Sequence, residues 1–108
     1  MTDKIVVLCT CASAEEAEKI AWHLVENRLA ACVSIVPQVR SIYRWQGVVE
    51  DASEWLLMVK SRRGLVERLS AAITSLHSYQ VPEVVALPLV DGSPAYLNWL
   101  DRELSHEE

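Results

Sequence analysis

Cys32-Val33-Ser34-Ile35-Val36-Pro37-Gln38-Val39-Arg40-Ser41-Ile42-Tyr43-Arg44-Trp45 runs into Gln46-Gly47, and Val48-Val49-Glu50-Asp51-Ala52-Ser53-Glu54-Trp55-Leu56-Leu57-Met58-Val59-Lys60-Ser61 follows at once. Both arms are rich in β-branched and aromatic residues, and Gln46-Gly47 is a turn signal between them. The stretch therefore reads as a hairpin. Each arm is about 14 residues, against a usual strand of roughly 5–6. Pro37 cannot donate to a ladder, so it predicts a bulge or an edge in the first arm. Asp51-Ala52-Ser53 predicts a local weakening of the second arm. The end near Gln46-Gly47 must extend past any small sheet, yet it carries Ile42, Tyr43, Trp45, Val48 and Val49. An exposed apolar ribbon aggregates unless it is paired or covered. Either it folds back over its own core or it pairs with another subunit. Apolar residues on both faces of the ribbon favour the second, an oligomer.

Outward from the hairpin, residues 5–10 are a continuous apolar, β-branched run that reads as a buried strand. Ser13-Ala14-Glu15-Glu16 is a capping box: Ser13 accepts from the first turn and Glu16 reaches back. The helix it opens places Ala17, Ile20, Ala21, Leu24, Val25 and Leu29 on one buried face. Residues 63–77 form a second amphipathic helix, with Leu65, Leu69, Ala72, Ile73 and Leu76 sharing a face. Residues 84–90 read as a fourth strand, with Pro88 at an edge or bulge. Pro94 suits a helix start, and residues 96–104 form a terminal helix with Leu97, Leu100 and Leu104 inward. The order strand, helix, strand, strand, helix, strand, helix predicts an α+β fold: a ferredoxin-like split βαβ sandwich with a long central hairpin and a C-terminal helix. One domain spans residues 4–104, and residues 105–108 read as a frayed tail.

The bulk composition agrees with one globular domain: 51% of the 108 residues are hydrophobic and only 3 are glycine. The formal net charge of −5 argues against a nucleic-acid partner and against a polybasic membrane patch. No stretch approaches the roughly 20 apolar residues of a membrane span. The apolar run after Lys4 is too short for a signal peptide. Three cysteines, Cys9, Cys11 and Cys32, form no disulfide framework and predict free thiols in a reducing, cytoplasmic setting.

Five segments in order resemble the CutA divalent-cation-tolerance family. They are Leu24-Val25-Glu26-Asn27-Arg28-Leu29-Ala30-Ala31-Cys32-Val33, Ser41-Ile42-Tyr43-Arg44-Trp45-Gln46-Gly47, Glu54-Trp55-Leu56-Leu57-Met58-Val59-Lys60-Ser61, His77-Ser78-Tyr79-Gln80-Val81-Pro82-Glu83 and Tyr96-Leu97-Asn98-Trp99. The resemblance covers residues 5–101. It implies a ferredoxin-like protomer, a homotrimer built by sheet extension, a role in tolerance to divalent cations, copper in particular, and an architecture similar to PII signalling proteins. Ser78, Gln80 and Ser61 depart from the family's usual Pro, Glu and Thr, and Gln80 removes one carboxylate from the presumed cleft.

The residues that carry chemistry follow from side-chain type. Thiol, imidazole and carboxylate donors suit borderline metals such as copper and zinc. The resemblance makes Cys32 the thiol ligand, against a core cysteine between Ala31 and Val33. His77, Tyr79 and Glu83 lie close together across the Pro82 turn and are the other candidate ligands, although a histidine there also serves as a helix cap. Cys9 and Cys11 share one strand face and read as small buried hydrophobes rather than ligands. Lys60 at a strand end reads first as a solvated cation and Tyr43, Trp45 and Trp99 as packing between subunits; the other reading is a trimer cleft in which Lys60 meets an anion walled by those aromatics. No phosphate loop, His-x-Glu zinc motif or nucleophile elbow is present, which argues against an enzyme or an organic cofactor. The expected function is a trimer that binds copper or another divalent metal. The alternative is a signalling scaffold for a small anion or an unidentified protein partner.

Overall fold

A computed structural model describes residues 2–107. The elements are β1 (Lys4–Cys11), α1 (Ala14–Glu26), β2 (Cys32–Trp45), β3 (Val48–Arg62), a 3-10 turn (Arg63–Leu65), α2 (Val66–Leu76), β4 (Val85–Pro88) and α3 (Pro94–Glu103). The four strands make one antiparallel sheet in the order β2-β3-β1-β4. This is the α+β, ferredoxin-like arrangement expected from the element order.

Alternation along β1 assigns the faces. Ile5, Val7, Cys9 and Cys11 are buried beneath the helices. Val6, Leu8 and Thr10 point to the other face and are half-buried. Ile20 and Leu24 of α1, Leu57 and Val59 of β3, Leu69 and Ile73 of α2, and Leu100 of α3 close the core with no exposure. Each such side chain contributes roughly 1.5–3 kcal/mol by leaving water.

The hairpin register runs from Cys32↔Lys60 to Trp45↔Val48, and it slips between Val36 and Val39. Pro37 sits in that slip and Gln38 takes a positive φ of 58°, so the expected bulge is present, on a strand that is also a sheet edge. At the tip Gln46 and Gly47 have φ of 50° and 81°, the geometry a two-residue hairpin turn requires. The weakening expected at residues 51–53 does not occur. Asp51, Ala52 and Ser53 pair with Ile42, Ser41 and Arg40, and the cross-strand ladder overrides their poor strand preference.

Four further expectations are adjusted. The last strand spans four residues instead of seven, because Val84 and Leu89 turn to pack on the core. The second helix begins as the 3-10 turn and becomes α-helical only at Val66. Val25 lies at the rim of α1 and is 41% exposed, beside Trp22 at 69%. The terminal tail is tied down as far as Glu107: the Ser105 N–H donates to the Arg28 carbonyl at 2.9 Å, and Arg62 Nη2 donates to the Ser105 carbonyl at 2.7 Å. Glu108 lies outside the described residues.

Candidate metal centre

The site grows from the end of β1 and the start of α1. Ser13 caps α1, accepting from the Glu16 N–H at 3.2 Å. The expected return bond from Glu16 is absent, because its carboxylate is used elsewhere: Oε2 accepts from the Ser78 N–H at 2.9 Å. That contact ties the first turn of α1 to the segment after α2. Glu16 Oε1 is buried and has no hydrogen-bond partner.

His77 ends α2, its backbone N–H donating to the Ile73 carbonyl at 2.9 Å. Its imidazole has no solvent exposure. Nδ1 accepts from the Tyr79 N–H at 3.1 Å, so the proton sits on Nε2, which donates to the Thr10 carbonyl at 2.7 Å. Thr10 lies between Cys9 and Cys11, so this bond brings the ring to the two thiols. One donor atom from each of Cys9, Cys11 and His77 lies within 4.8 Å of the others, and all three are buried.

The two thiols act on each other. The hydrogen bond with Cys11 and then burial hold the Cys9 thiol far above its ordinary range, and the same bond lowers the Cys11 thiol. Tyr79 stacks on His77 with ring centres 4.7 Å apart and donates its hydroxyl to Glu54 Oε2 at 2.6 Å. Burial, then that carboxylate, push the Tyr79 phenol well above its ordinary value, so it stays a neutral donor. Among the described residues no lysine or arginine forms an ion pair with Glu16 or Glu54.

The expected ligands are thus divided. His77 and Tyr79 stand together, but Tyr79 is committed to Glu54. Glu83 is exposed, with its charge reaching Cys9. Cys32 is apart for a reason of register. It pairs with Lys60, which pairs with Val6, and all three point to the face opposite Cys9 and Cys11. Cys9 and Cys11, read from sequence as core hydrophobes, are buried and also face an imidazole. Their shared strand face was legible; the approach of His77, 66 residues after Cys11 in the chain, was not. Glu16 and Glu54 had no signal of their own.

The cleft residues are also spread out. Lys60 Nζ donates to the Tyr96 hydroxyl at 3.1 Å, and Tyr96 stacks on Trp99 at 5.7 Å. Tyr43 lies out on the hairpin opposite Glu50, and Trp45 stands beside the turn, both exposed.

The family model described as CutA1 divalent ion tolerance protein matches residues 5–103. The chain belongs to the CutA1 divalent ion tolerance family. The divalent-cation tolerance protein CutA of Thermus thermophilus is 53% identical over 95 residues, covering 88% of this chain and 92% of that one. Mouse protein CutA is 47% identical over 91 residues, or 84% of this chain and 51% of its own length. The chain therefore spans about half of the mouse relative, and likewise 53% of the chloroplastic CutA of Arabidopsis thaliana. Among solved structures, the Thermus thermophilus Cut A1 protein superposes with a TM-score of 0.92 at 49% identity, covering 94% of this chain and 99% of that one. CutA of Xylella fastidiosa gives 0.93 at 36% identity, with 96% and 100% covered. The family name points to divalent cations, and the Cys9–Cys11–His77 cluster has the sulfur and nitrogen donors that suit the borderline members of that class. The buried, unpartnered Glu16 Oε1 beside it is the kind of group a cation would satisfy. No helix among the described residues is long and apolar enough to cross a membrane.

Proposed function

We propose that this chain is a cytoplasmic, non-enzymatic homotrimer that binds copper or another divalent cation directly, on Cys9, Cys11 and His77. The observation that carries the reading is the convergence of two thiols and one imidazole, all buried, within 4.8 Å. A bound cation would take both sulfurs as thiolates, so its uptake releases protons. The Nε2–H bond to the Thr10 carbonyl fixes the ring's orientation and tautomer, the usual support for a ligating histidine. Burial keeps water and hard, oxygen-seeking cations at a disadvantage.

The trimer is supported by surfaces that a lone protomer leaves open. The hairpin exposes Ile42 at 65% and Val49 at 59%. The helix-free sheet face presents half-buried Val6, Leu8, Leu56 and Met58 beside exposed Val85 and Leu87. β2 and β4 are free edges. A second reading, a scaffold that takes a small anion or a protein partner at an intersubunit cleft, is favoured by one observation. Lys60 reaches over the Tyr96 ring, 5.4 Å from its centre, and Trp99 extends the aromatic wall.

Calorimetric titration of the reduced protein with copper, with molar mass from light scattering on the same sample, tests the reading. Binding of about one ion per chain in a particle of three chains is the expected result. A trimer that takes up no copper overturns direct binding and leaves the cleft reading. A monomer with one tight site overturns the assembly.

A further inference from the structure

An open cleft of about 660 Å³ lies between strands β1 and β4 on one side and the 3-10 turn with the first turn of α2 on the other. It sits at the Lys4 end of β1, whereas the two thiols lie toward the Cys11 end. We propose that this cleft binds a small organic phosphate monoester, its phosphate held by Arg63 and Arg68 with the buried Arg62 behind them. The proposal does not depend on the metal cluster.

Three observations carry it. First, the cations here lack anions. In a chain of net charge −5, Arg62, Arg63 and Arg68 gather within residues 62–68. Among the described residues no carboxylate oxygen lies within 4.0 Å of their nitrogens, whereas Lys4 and Arg40 are each paired. Glu67 and Glu107 also line the cleft, yet neither closes on an arginine. Asp101 feels the Arg62 charge from beyond that range, and its Oδ1 accepts from Lys4 Nζ at 2.9 Å.

Second, neutral oxygens stand where an anion's would. Arg62 is only 8% exposed, and its Nε and Nη2 both donate to the Ser105 carbonyl, at 3.1 and 2.7 Å. Nη1 makes no hydrogen bond among the described residues. A guanidinium fork of this kind matches an oxyanion, and a carbonyl satisfies its N–H groups without offsetting its charge. Gly64 brings that charge to the cleft: a Cβ there would collide with Arg62 Nη1, so the guanidinium lies directly behind the cleft wall. Arg68 Nη1 likewise donates to a carbonyl, that of Glu107, at 3.0 Å.

Third, the backbone adds to the field. The 3-10 turn and the 11-residue α2 both start without a side-chain cap, and Gly64 and Val66 of that start line the cleft. The start of a helix favours negative charge. Several guanidiniums converging with a helix start suit a phosphate dianion better than a carboxylate, which one arginine satisfies. Free phosphate would leave most of the volume empty. Ile5, Val66 and Pro88 line the remainder with apolar surface, which suits the organic body of an ester.

The test titrates the full chain, in its native assembly and at constant ionic strength, with phenyl phosphate, inorganic phosphate and phenol, and follows the backbone amide resonances. Phenyl phosphate is expected to move the amides of Gly64, Val66 and Glu107 and to saturate at one site per chain. Inorganic phosphate should move the same amides with lower affinity, and phenol should move none. Arg63→Gln and Arg68→Gln, both at exposed positions, should each weaken phenyl phosphate by about 10-fold or more, the loss of a charge-assisted hydrogen bond, with melting temperature and copper uptake unchanged. The wild-type titration needs no variant: amides that stay in place at millimolar phenyl phosphate overturn the site. Affinity that is unchanged in both variants overturns it as well. Inorganic phosphate that binds as tightly as phenyl phosphate overturns the ester as the ligand.

Discussion

The two halves of the central hairpin obey different rules. In the inner half, Leu57 and Val59 have no exposure and lie against helices from the same chain. In the outer half, Ile42, Tyr43, Trp45, Val48 and Val49 are between 39% and 65% exposed, although they are no less apolar. The backbone ladder is continuous across both apart from one bulge at Val36/Val39. Hydrogen bonding therefore does not distinguish the halves; what covers the side chains does. The inner half is complete within one protomer. The molecule measures 44 Å in one direction against 25 and 21 Å in the others, and the apolar side chains of the outer half are left uncovered within the protomer.

The largest effect should come from removing the outer half. Deleting residues 42–49 and closing the ladder with a short turn should abolish the trimer, read as molar mass by light scattering. A deleted chain that keeps three-chain mass would show that the outer ribbon is not the assembly device. Truncating the inner half acts on the protomer instead. Leu57→Ala leaves a cavity in a fully buried position and should cost about 2–5 kcal/mol in denaturant unfolding. A loss under 1 kcal/mol would mean that the inner sheet relaxes as freely as the ribbon.

These contrasts explain what could be read from the residues alone. The bulge was legible because Pro37 has one physical consequence in a strand. The hairpin's excess length was legible because strands have a usual size. The length of β4 was not, since Val84 and Leu89 look like strand residues and only the position of the core shows that they turn inward. For the site, same-face placement of Cys9 and Cys11 follows from a period of two. His77 reaches them through its bond to the Thr10 carbonyl, a contact between residues 67 apart that no local pattern encodes. Cys32 stands apart from that cluster, and a segment resemblance carries no information about which face a residue takes. That face is set by pairing with Lys60, four strand positions beyond Leu56 on β3.

A second comparison, between the two faces of the sheet, sharpens the metal reading. Cys11→Ser on the helix face should weaken metal uptake by about 100-fold, while Cys32→Ser on the open face should leave it within about 2-fold, because a lost ligand costs at least as much as a lost outer-shell partner. Competition with a chelator measures both. The reverse order would place the ion on the open face, beside Lys60, and remove the helix-face cluster from consideration.

The smallest effect tests how the first turn of α1, which covers the inner half, is fastened. Ser13 Oγ accepts the Glu16 N–H at 3.2 Å, and Glu16 in turn holds Ser78. Ser13→Ala removes one cap and should cost about 1 kcal/mol of stability. Two outcomes separate a simple cap from a site support. If Ser13 only caps α1, metal affinity in Ser13→Ala stays at the wild-type value while stability falls. If the first turn also sets the carboxylate of Glu16, affinity falls with it, and exchange of the Ser78 amide quickens. Hydrogen exchange at Ser78 read alongside the chelator competition decides between them. The second result would extend the self-contained inner half of the molecule from its core to its site.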